Sequence, residues 1–317
     1  DDSGCDCRIT DMNHTSWTAE NVSFLDGSAL VDLTWNGAQS GHNLTLTFEG
    51  NTSWTVLNVT LGALSVFFNV FWLAPHSGSD MRVSFSNSTT WMMVNVLLFG
   101  DSIILLADWN GDESGLDSNI AFDSNTLWQV DNMVMGERVD FFQLYWQGAN
   151  SGHHASLSFK NGAHIYISNT KVGDNSNVFN MYWHQPMSGR NVSVVFAVDV
   201  EMCVSESVFI ARAAFFAMVW AAHMSGGGVS MQIDGPARIE VSRTSFEAYS
   251  SFMLLDWGGP EELPDSSVIE PTDRCIKGQA CTNLAFDAVV SLTELEGIDS
   301  SFFLFFSLKH PIFFRVF

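Results

Sequence analysis

The chain has 317 residues and is apolar and strongly acidic: 46% of its residues are hydrophobic, only 15% are charged, and the formal net charge is −22. No basic cluster offsets this charge, so we exclude nucleic acid as a partner. No stretch reaches the roughly 18–20 apolar residues of a spanning helix, so we expect no membrane span in this segment.

Tryptophan recurs along the chain at a constant interval of 37 residues. The series consists of Trp35, Trp72, Trp109, Trp146, Trp183, Trp220 and Trp257. A second series with the same step consists of Trp17, Trp54, Trp91 and Trp128, followed by Ile165, Met202 and Ile239. Because the interval is kept without an insertion, the pattern indicates one structural unit stacked many times.

Within one repeat, apolar residues alternate in three short segments. In chain order these are residues 44–48, residues 54–61 with a bend at Asn58, and residues 68–72. Period-two alternation predicts three strands per repeat and argues against helical repeats. Loops of constant length favour a β-helix over a propeller, because each coil must superpose on its neighbour about 4.8 Å away. We therefore predict an all-β parallel β-helix of about eight 37-residue coils.

Equivalent side chains should then stack as ladders along the axis. The tryptophan series from Trp35 to Trp257 is one predicted ladder. A second is an amide ladder at the bend of the middle strand. It consists of Asn21, Asn58, Asn95, Asn132 and Asn169.

The repeat defines the domain organisation. We expect the β-helix to cover residues 1–258, an irregular insertion to cover 259–283, and a degenerate final coil with an apolar tail to cover 284–317. The insertion contains three prolines, and Cys275 and Cys281 within it are a candidate disulfide.

The phrases Val56-Leu-Asn-Val-Thr60 and Val94-Asn-Val96 place aliphatic residues on either side of a turn asparagine. In this they resemble pectin-lyase-type right-handed β-helices. Over residues 5–258 the chain is also similar to large microbial surface or fibre proteins, including the dispersed gene family surface proteins of trypanosomatids. The resemblance implies a right-handed coil in a cell-surface protein.

An apolar column precedes the inward residues of the third strand. It consists of Leu30, Phe67, Ile104, Phe141, Val178, Phe215 and Phe252. In a straight strand these residues would point outward and form an exposed stripe for assembly. At a corner, two successive residues would both face the core. The sequence leaves both interpretations open.

Sequons for N-glycosylation predict an extracellular, secreted or cell-surface glycoprotein. We expect glycans at strand ends or turns, on Asn13, Asn43, Asn51, Asn87 and Asn191. Asn21 and Asn58 also match the sequon but fall in the amide ladder, so we expect them to be unmodified. We expect no cofactor other than these glycans, although the acidic surface leaves Ca²⁺ binding open.

The leading functional prediction is a structural or adhesive segment of a fibre, filament or surface coat, not an enzyme. Its partners would be copies of itself or further segments of the same polypeptide, packed end to end or laterally. Catalysis by a β-helix needs carboxylates together on neighbouring coils, whereas Asp101, Glu137 and Asp174 do not all lie in one column. A carbohydrate-active enzyme, or a glycan-binding module using Tyr145 and Tyr182, remains the alternative.

Overall fold

The computed structural model describes residues 8–12, 15–38, 40–86, 88–123, 125–222, 225, 230–247, 250–257, 283–293 and 303–307. Every regular element in these ranges is a β-strand, and no helix is present among them. Nor does this part of the chain hold any helix with the length and apolar character needed to cross a bilayer.

The described residues form twenty-six strands, which follow one another in a repeating order. The first four turns contain β1 (Arg8–Met12), β2 (Ser16–Glu20), β3 (Ser23–Phe24), β4 (Ala29–Trp35), β5 (Thr45–Glu49), β6 (Ser53–Leu61), β7 (Val66–Trp72), β8 (Arg82–Phe85), β9 (Thr90–Leu98), β10 (Ile103–Trp109), β11 (Asn119–Phe122), β12 (Leu127–Met135) and β13 (Asp140–Trp146). The later turns contain β14 (Ser156–Phe159), β15 (His164–Ser168), β16 (Lys171–Val172), β17 (Asn177–Trp183), β18 (Ser193–Phe196), β19 (Glu201–Ser205), β20 (Val208–Phe209), β21 (Ala214–Trp220), β22 (Ser230–Ser242), β23 (Ser245–Phe246), β24 (Ser251–Trp257), β25 (Asn283–Thr293) and β26 (Phe303–Ser307).

Each turn contributes one strand, or a pair of short strands, to each of three walls. The first wall contains β1, β5, β8, β11, β14, β18 and the start of β22; the second contains β2, β3, β6, β9, β12, β15, β16, β19, β20, the end of β22 and β23. The long strand β25 pairs with both halves of β22 and continues both walls. The third wall is an eight-stranded sheet of β4, β7, β10, β13, β17, β21, β24 and β26. All pairings are parallel, so the chain is a β-solenoid, as the repeat predicts.

The register confirms the 37-residue repeat. Trp72 pairs with Trp109, and Trp109 pairs with Trp146, so identical residues lie on adjacent strands. About six turns have this spacing, fewer than the eight coils expected. The last step differs from the others: Met253 pairs with Phe303, 50 residues later. The right-handed sense of the coil and the division into three segments stay predictions.

The middle strand shows why an asparagine sits at its bend. In β6, Trp54 and Val56 are buried before the bend, and Val59 and Leu61 are buried after it. Strict alternation would turn the second pair outward. Asn58 has φ = 52°, a left-handed conformation that asparagine tolerates better than most residues. The bend therefore resets the alternation and keeps both halves of the strand facing the core.

Stacked aromatic rings fill the interior. In the third wall the rings from Trp35 to Trp220 form a single file, with neighbouring centroids 4.8–5.2 Å apart and planes within 9° of parallel. The ring of Trp257 lies outside the described side chains. In the first wall, the rings from Phe48 to Phe196 stack 4.8–5.0 Å apart. The core is thus a set of parallel ladders along one axis.

The apolar column from Leu30 to Phe252 does not form an exposed stripe. The prediction of an exposed stripe for assembly is therefore wrong, and the alternative of a corner is correct. Leu30, in the first turn, is 48% exposed, but Phe67, Ile104, Phe141, Val178, Phe215 and Phe252 are each at most 2% exposed. The strand pairing gives the reason: Val66 pairs with Ile103 and Phe68 with Leu105, while the position between them is skipped. The backbone bends there, so two successive residues face the core.

Candidate functional site

The outer face of the third wall carries a compact group of polar and aromatic side chains over three consecutive turns. We call it the polar–aromatic patch. It consists of Asp108, Asn110, Tyr145, Gln147, Tyr182 and His184. They occupy two adjacent columns, one just before the tryptophan ladder and one just after it.

The strand register brings these side chains together. Asp108 pairs with Tyr145, and Tyr145 pairs with Tyr182, so the three form one column on β10, β13 and β17. The second column continues the ladder beyond the strand ends, where the backbone N–H of Gln147 donates to the carbonyl of Trp109 at 2.8 Å. Because the ladder tryptophans from Trp72 to Trp220 point inward, the residues on either side of them point outward.

Asp108 forms the buried base of the patch. Its side chain accepts hydrogen bonds from Gln147 Nε2, at 3.0 Å to Oδ1 and 2.8 Å to Oδ2. Burial raises the pKa of Asp108 to about 7, although the hydrogen bonds from Gln147 and Asn110 oppose the rise. The carboxyl is only 5% exposed, so it holds the Gln147 amide in place while remaining almost out of contact with solvent.

Three rings stand above this base. The centroids of Tyr145 and Tyr182 lie 5.1 Å apart with an 80° angle between the rings. The imidazole of His184 lies 6.1 Å from Tyr182 and 6.4 Å from Tyr145. Burial and the nearby Tyr182 and Asp108 raise the pKa of the Tyr145 hydroxyl. Both tyrosines are half-buried, so their rings are packed in place yet reach the surface.

Apolar residues bound the patch along the axis. On one side the two columns contain Phe71 and Leu73, and on the other they contain Val219 and Ala221. In these two columns the patch therefore occupies three consecutive turns between apolar neighbours, and polar residues recur only at Thr34 and Asn36 among the other described side chains.

A second buried carboxyl lies on the same wall. Asp140 accepts hydrogen bonds from the backbone N–H of Asn177 at 3.1 Å, from its Nδ2 at 3.0 Å, and from Asn180 Nδ2 at 2.7 Å. Burial raises the pKa of Asp140 to about 6. Five residues along a strand and one rung separate it from Asp108, so the Cα atoms of the two residues are about 17 Å apart.

The second wall carries an ionic network centred on Glu201. Its carboxylate accepts a hydrogen bond from the hydroxyl of Tyr166 at 2.6 Å and pairs with Arg238 at 2.8 Å and His164 at 3.3 Å. The Tyr166 hydrogen bond and the Arg238 charge hold the pKa of Glu201 below its ordinary value. Burial, and then the charge of Glu201, raise the pKa of the Cys203 thiol to about 11. The network links three turns, and its thiol is a poor nucleophile.

The predicted amide ladder forms over four turns and then ends. Asn58 Nδ2 donates to Asn21 Oδ1 at 3.1 Å, and equivalent bonds join Asn95 to Asn58 at 2.9 Å and Asn132 to Asn95 at 2.6 Å. Asn169 instead donates to Asp131 Oδ1 at 2.9 Å. A carboxylate is the stronger acceptor, so it takes the Asn169 amide out of the ladder.

The predicted glycosylation residues that the structure describes lie in exposed turns. Asn43, Asn51 and Asn191 have φ values of 53°, 61° and 54°, and all three are exposed. Asn13 and Asn87 lie outside the described residues. So do the candidate disulfide partners Cys275 and Cys281. Sugar attachment and disulfide formation at these positions stay predictions.

Two of the three carboxylates considered for catalysis, Asp101 and Asp174, are engaged by arginines. Asp101 accepts two hydrogen bonds from Arg138, at 2.9 and 2.8 Å, and Asp174 accepts two from Arg212. Within the ranges that the structure describes, no group of three or more histidine, cysteine or acidic side chains is arranged to hold a metal ion.

The glycan-binding alternative predicted from the sequence named Tyr145 and Tyr182 and did not include Asn110, Gln147 or His184. A comparison of the two outward columns over neighbouring turns could have found them. These columns change from apolar residues (Phe71, Leu73) to the polar patch and back to apolar residues (Val219, Ala221). Comparisons with known proteins add no family or relative, because the chain matches no protein-family model, no curated protein and no solved structure.

Proposed function

We propose that the chain is an extracellular structural or adhesive glycoprotein segment that builds a rod within a fibre, filament or surface coat. The observation that carries the proposal is the continuity of the side-chain ladders along one axis, above all the tryptophan file at 4.8–5.2 Å spacing. A stack of near-identical units is a rod whose length depends on the number of turns.

The first turn supports assembly by end-on stacking. Trp17 stacks on Trp54 with a centroid distance of 5.0 Å, yet it is 50% exposed. Leu25 and Leu30 in the same turn are also exposed. Among the described strands, β4 is the edge of the third wall. An open edge with apolar side chains templates further pairing, so its partner is a copy of this chain or a further turn of the same polypeptide.

The surface chemistry supports an extracellular location. Asn43, Asn51 and Asn191 present sequons in exposed turns, and the net charge of −22 keeps a highly apolar rod soluble. The resemblance to microbial surface β-helices agrees with this location. A right-handed coil also belongs to the proposal through that resemblance.

An enzymatic function is the weaker alternative. Paired-carboxylate glycoside hydrolysis places the two groups roughly 5–10 Å apart, whereas the Cα atoms of Asp108 and Asp140 are about 17 Å apart. Asp101 and Asp174 are held by arginines. The carboxyls of this wall accept hydrogen bonds from neighbouring amides in the stack and do not face one another across a substrate.

Negative-stain electron microscopy and sedimentation of the purified chain test the proposal. We expect rods that lengthen with concentration, and a Leu25→Lys/Leu30→Lys double variant should shorten them by placing charge on the open end. Val134→Lys is the matched control, because Val134 is an exposed apolar residue in the fourth turn, in the middle of the stack. Discrete particles at every concentration, unchanged by the double variant, would contradict end-on assembly.

A further inference from the structure

We propose that the polar–aromatic patch is a binding site for a neutral oligosaccharide that lies along the solenoid axis across three turns. The proposal rests on the function proposed above in one respect: the oligosaccharide would be what an adhesive rod binds. Its geometry is independent of whether the rods assemble.

The aromatic rings provide the apolar part of the recognition. Sugar rings present C–H faces that pack on aromatic side chains, while their hydroxyl edges need planar hydrogen-bonding partners. Tyr145, Tyr182 and His184 supply three rings within 5.1–6.4 Å of one another. Tyrosine hydroxyls and the imidazole add polar atoms at the ring edges. This combination suits a ligand with both an apolar face and many hydroxyls.

The amide side chains provide the polar part of the recognition, and Asp108 holds the Gln147 amide in a fixed orientation. Both of its short contacts to Asp108 use Nε2, at 3.0 and 2.8 Å. Its Oε1 is therefore left as an acceptor that the Asp108 carboxyl does not engage. A side chain fixed by a buried partner loses little conformational entropy when a ligand binds, which favours affinity. Asn110 and His184 extend the same column by one turn on each side.

The dimensions and the charge define the ligand class. Two rung spacings give the patch a height of about 10 Å, roughly the length of a disaccharide. Phe71 and Val219 close the tyrosine column on either side, so a short saccharide segment fits. A net charge of −22 repels sulfated and other anionic glycans. The ligand is therefore a neutral glycan.

The test is a binding screen with the full chain against neutral tetrasaccharides of glucose, xylose, mannose and N-acetylglucosamine, with heparin tetrasaccharide as the anionic probe. Saturation-transfer NMR and calorimetry provide the readouts. We expect at least one neutral tetrasaccharide to bind with a dissociation constant in the range of about 10 μM to 1 mM, and heparin tetrasaccharide not to bind.

Three variants locate the site. Tyr145→Ala and Tyr182→Ala should each weaken binding by about tenfold or more, while Tyr145→Phe, which keeps the ring, should retain most of it. Tyr166→Ala is the matched control, because it removes a half-buried tyrosine from the outer face of the second wall. Tryptophan fluorescence and urea unfolding establish that each variant is folded.

The outcomes are separable from those of the assembly experiment. Saccharide binding by chains that never form rods would support this site and contradict end-on assembly. Absence of binding by every neutral tetrasaccharide at about 1 mM would overturn the site, whatever microscopy shows. Binding that survives both alanine substitutions, or a preference for heparin, would also overturn it.

Discussion

Trp109 and Trp146 are 37 residues apart in the sequence, and their indole rings stack with centroids 4.8 Å apart and planes 3° from parallel. This distance matches the spacing of adjacent strands in a sheet. One pair therefore relates the period of the sequence to the rise of the stack. The same relation repeats in the neighbouring turns and underlies the predictions below.

Removing a ring from the middle of the ladder should be costly. Trp146 is fully buried and stacks on both Trp109 and Trp183. We expect Trp146→Ala to lower the free energy of unfolding by about 3–5 kcal/mol. Trp17→Ala, at a half-exposed ring in the first turn that stacks on Trp54, should cost about 1 kcal/mol. Urea denaturation gives both values, and equal losses would argue against a continuous ladder.

A glycine substitution tests the close approach of a turn to the ladder. Gly115 has φ = +62°, and a Cβ there would lie 2.7 Å from Nε1 of Trp146 and 2.9 Å from Cγ of Trp109. Gly27 has φ = +70° and nothing within 4 Å. Gly27→Ala should cost only the left-handed backbone penalty of about 1–2 kcal/mol. Gly115→Ala should cost about 1–3 kcal/mol more than Gly27→Ala, because the added methyl group overpacks the ladder. Urea denaturation measures both losses. Equal losses at the two glycines would contradict the close approach of Gly115 to the tryptophan rings.

The buried carboxyl of Asp140 predicts a pH dependence of stability. Its pKa is raised to about 6 in the folded chain, so the unfolded chain releases this proton first, and ionisation disfavours folding as pH rises. Stability is lost between about pH 4 and pH 6, by roughly 3 kcal/mol for a shift of about two units. Below pH 4 both states are protonated and the effect vanishes.

Unfolding of an Asp140→Asn variant checks this dependence. Relative to the wild-type chain, the variant should gain stability steadily from pH 4 to pH 6 and no further above pH 7. Asp80→Asn removes one negative charge from an exposed turn and controls for net charge. A difference between the wild-type chain and Asp140→Asn that stays constant with pH would show that Asp140 ionises normally.

Glycosylation should distinguish turn asparagines from ladder asparagines. We expect sugar on Asn43, Asn51 and Asn191 when the chain is secreted from eukaryotic cells. Asn58 should be unmodified, because its Nδ2 donates to Asn21 and its Oδ1 accepts from Asn95. Glycopeptide mass spectrometry measures the glycan occupancy of each asparagine separately. Full occupancy at Asn58 in folded chains is incompatible with the ladder.

Much of the architecture follows from the sequence because the repeat has no insertions. Once Trp72 and Trp109 are taken as equivalent, strand pairing, register and core columns follow. The orientation of Phe67 does not, because alternation assumes a straight strand and the backbone bends there. The end of the amide ladder at Asn169 is also not predictable from the repeat, because Asp131 in the neighbouring turn competes with Asn132 for the Asn169 amide.

The candidate site was only partly predictable for a related reason. Tyr145 and Tyr182 are visible as a column in the sequence. The role of Asp108 depends on its burial and on the two contacts from Gln147, which lies two residues beyond the next rung. Side-chain conformations across neighbouring turns decide such contacts, and a periodic pattern does not specify them.

The central claim is that each 37-residue step moves the chain one rung along a single axis. Thr47 and Gln232 lie in one outer column, five rungs apart. Electron–electron resonance between spin labels attached through unnatural side chains at these two positions should give about 24 Å between backbone sites. Moving the second label to Val195 should shorten the distance by about 5 Å. A separation that does not scale with the number of turns would contradict the solenoid.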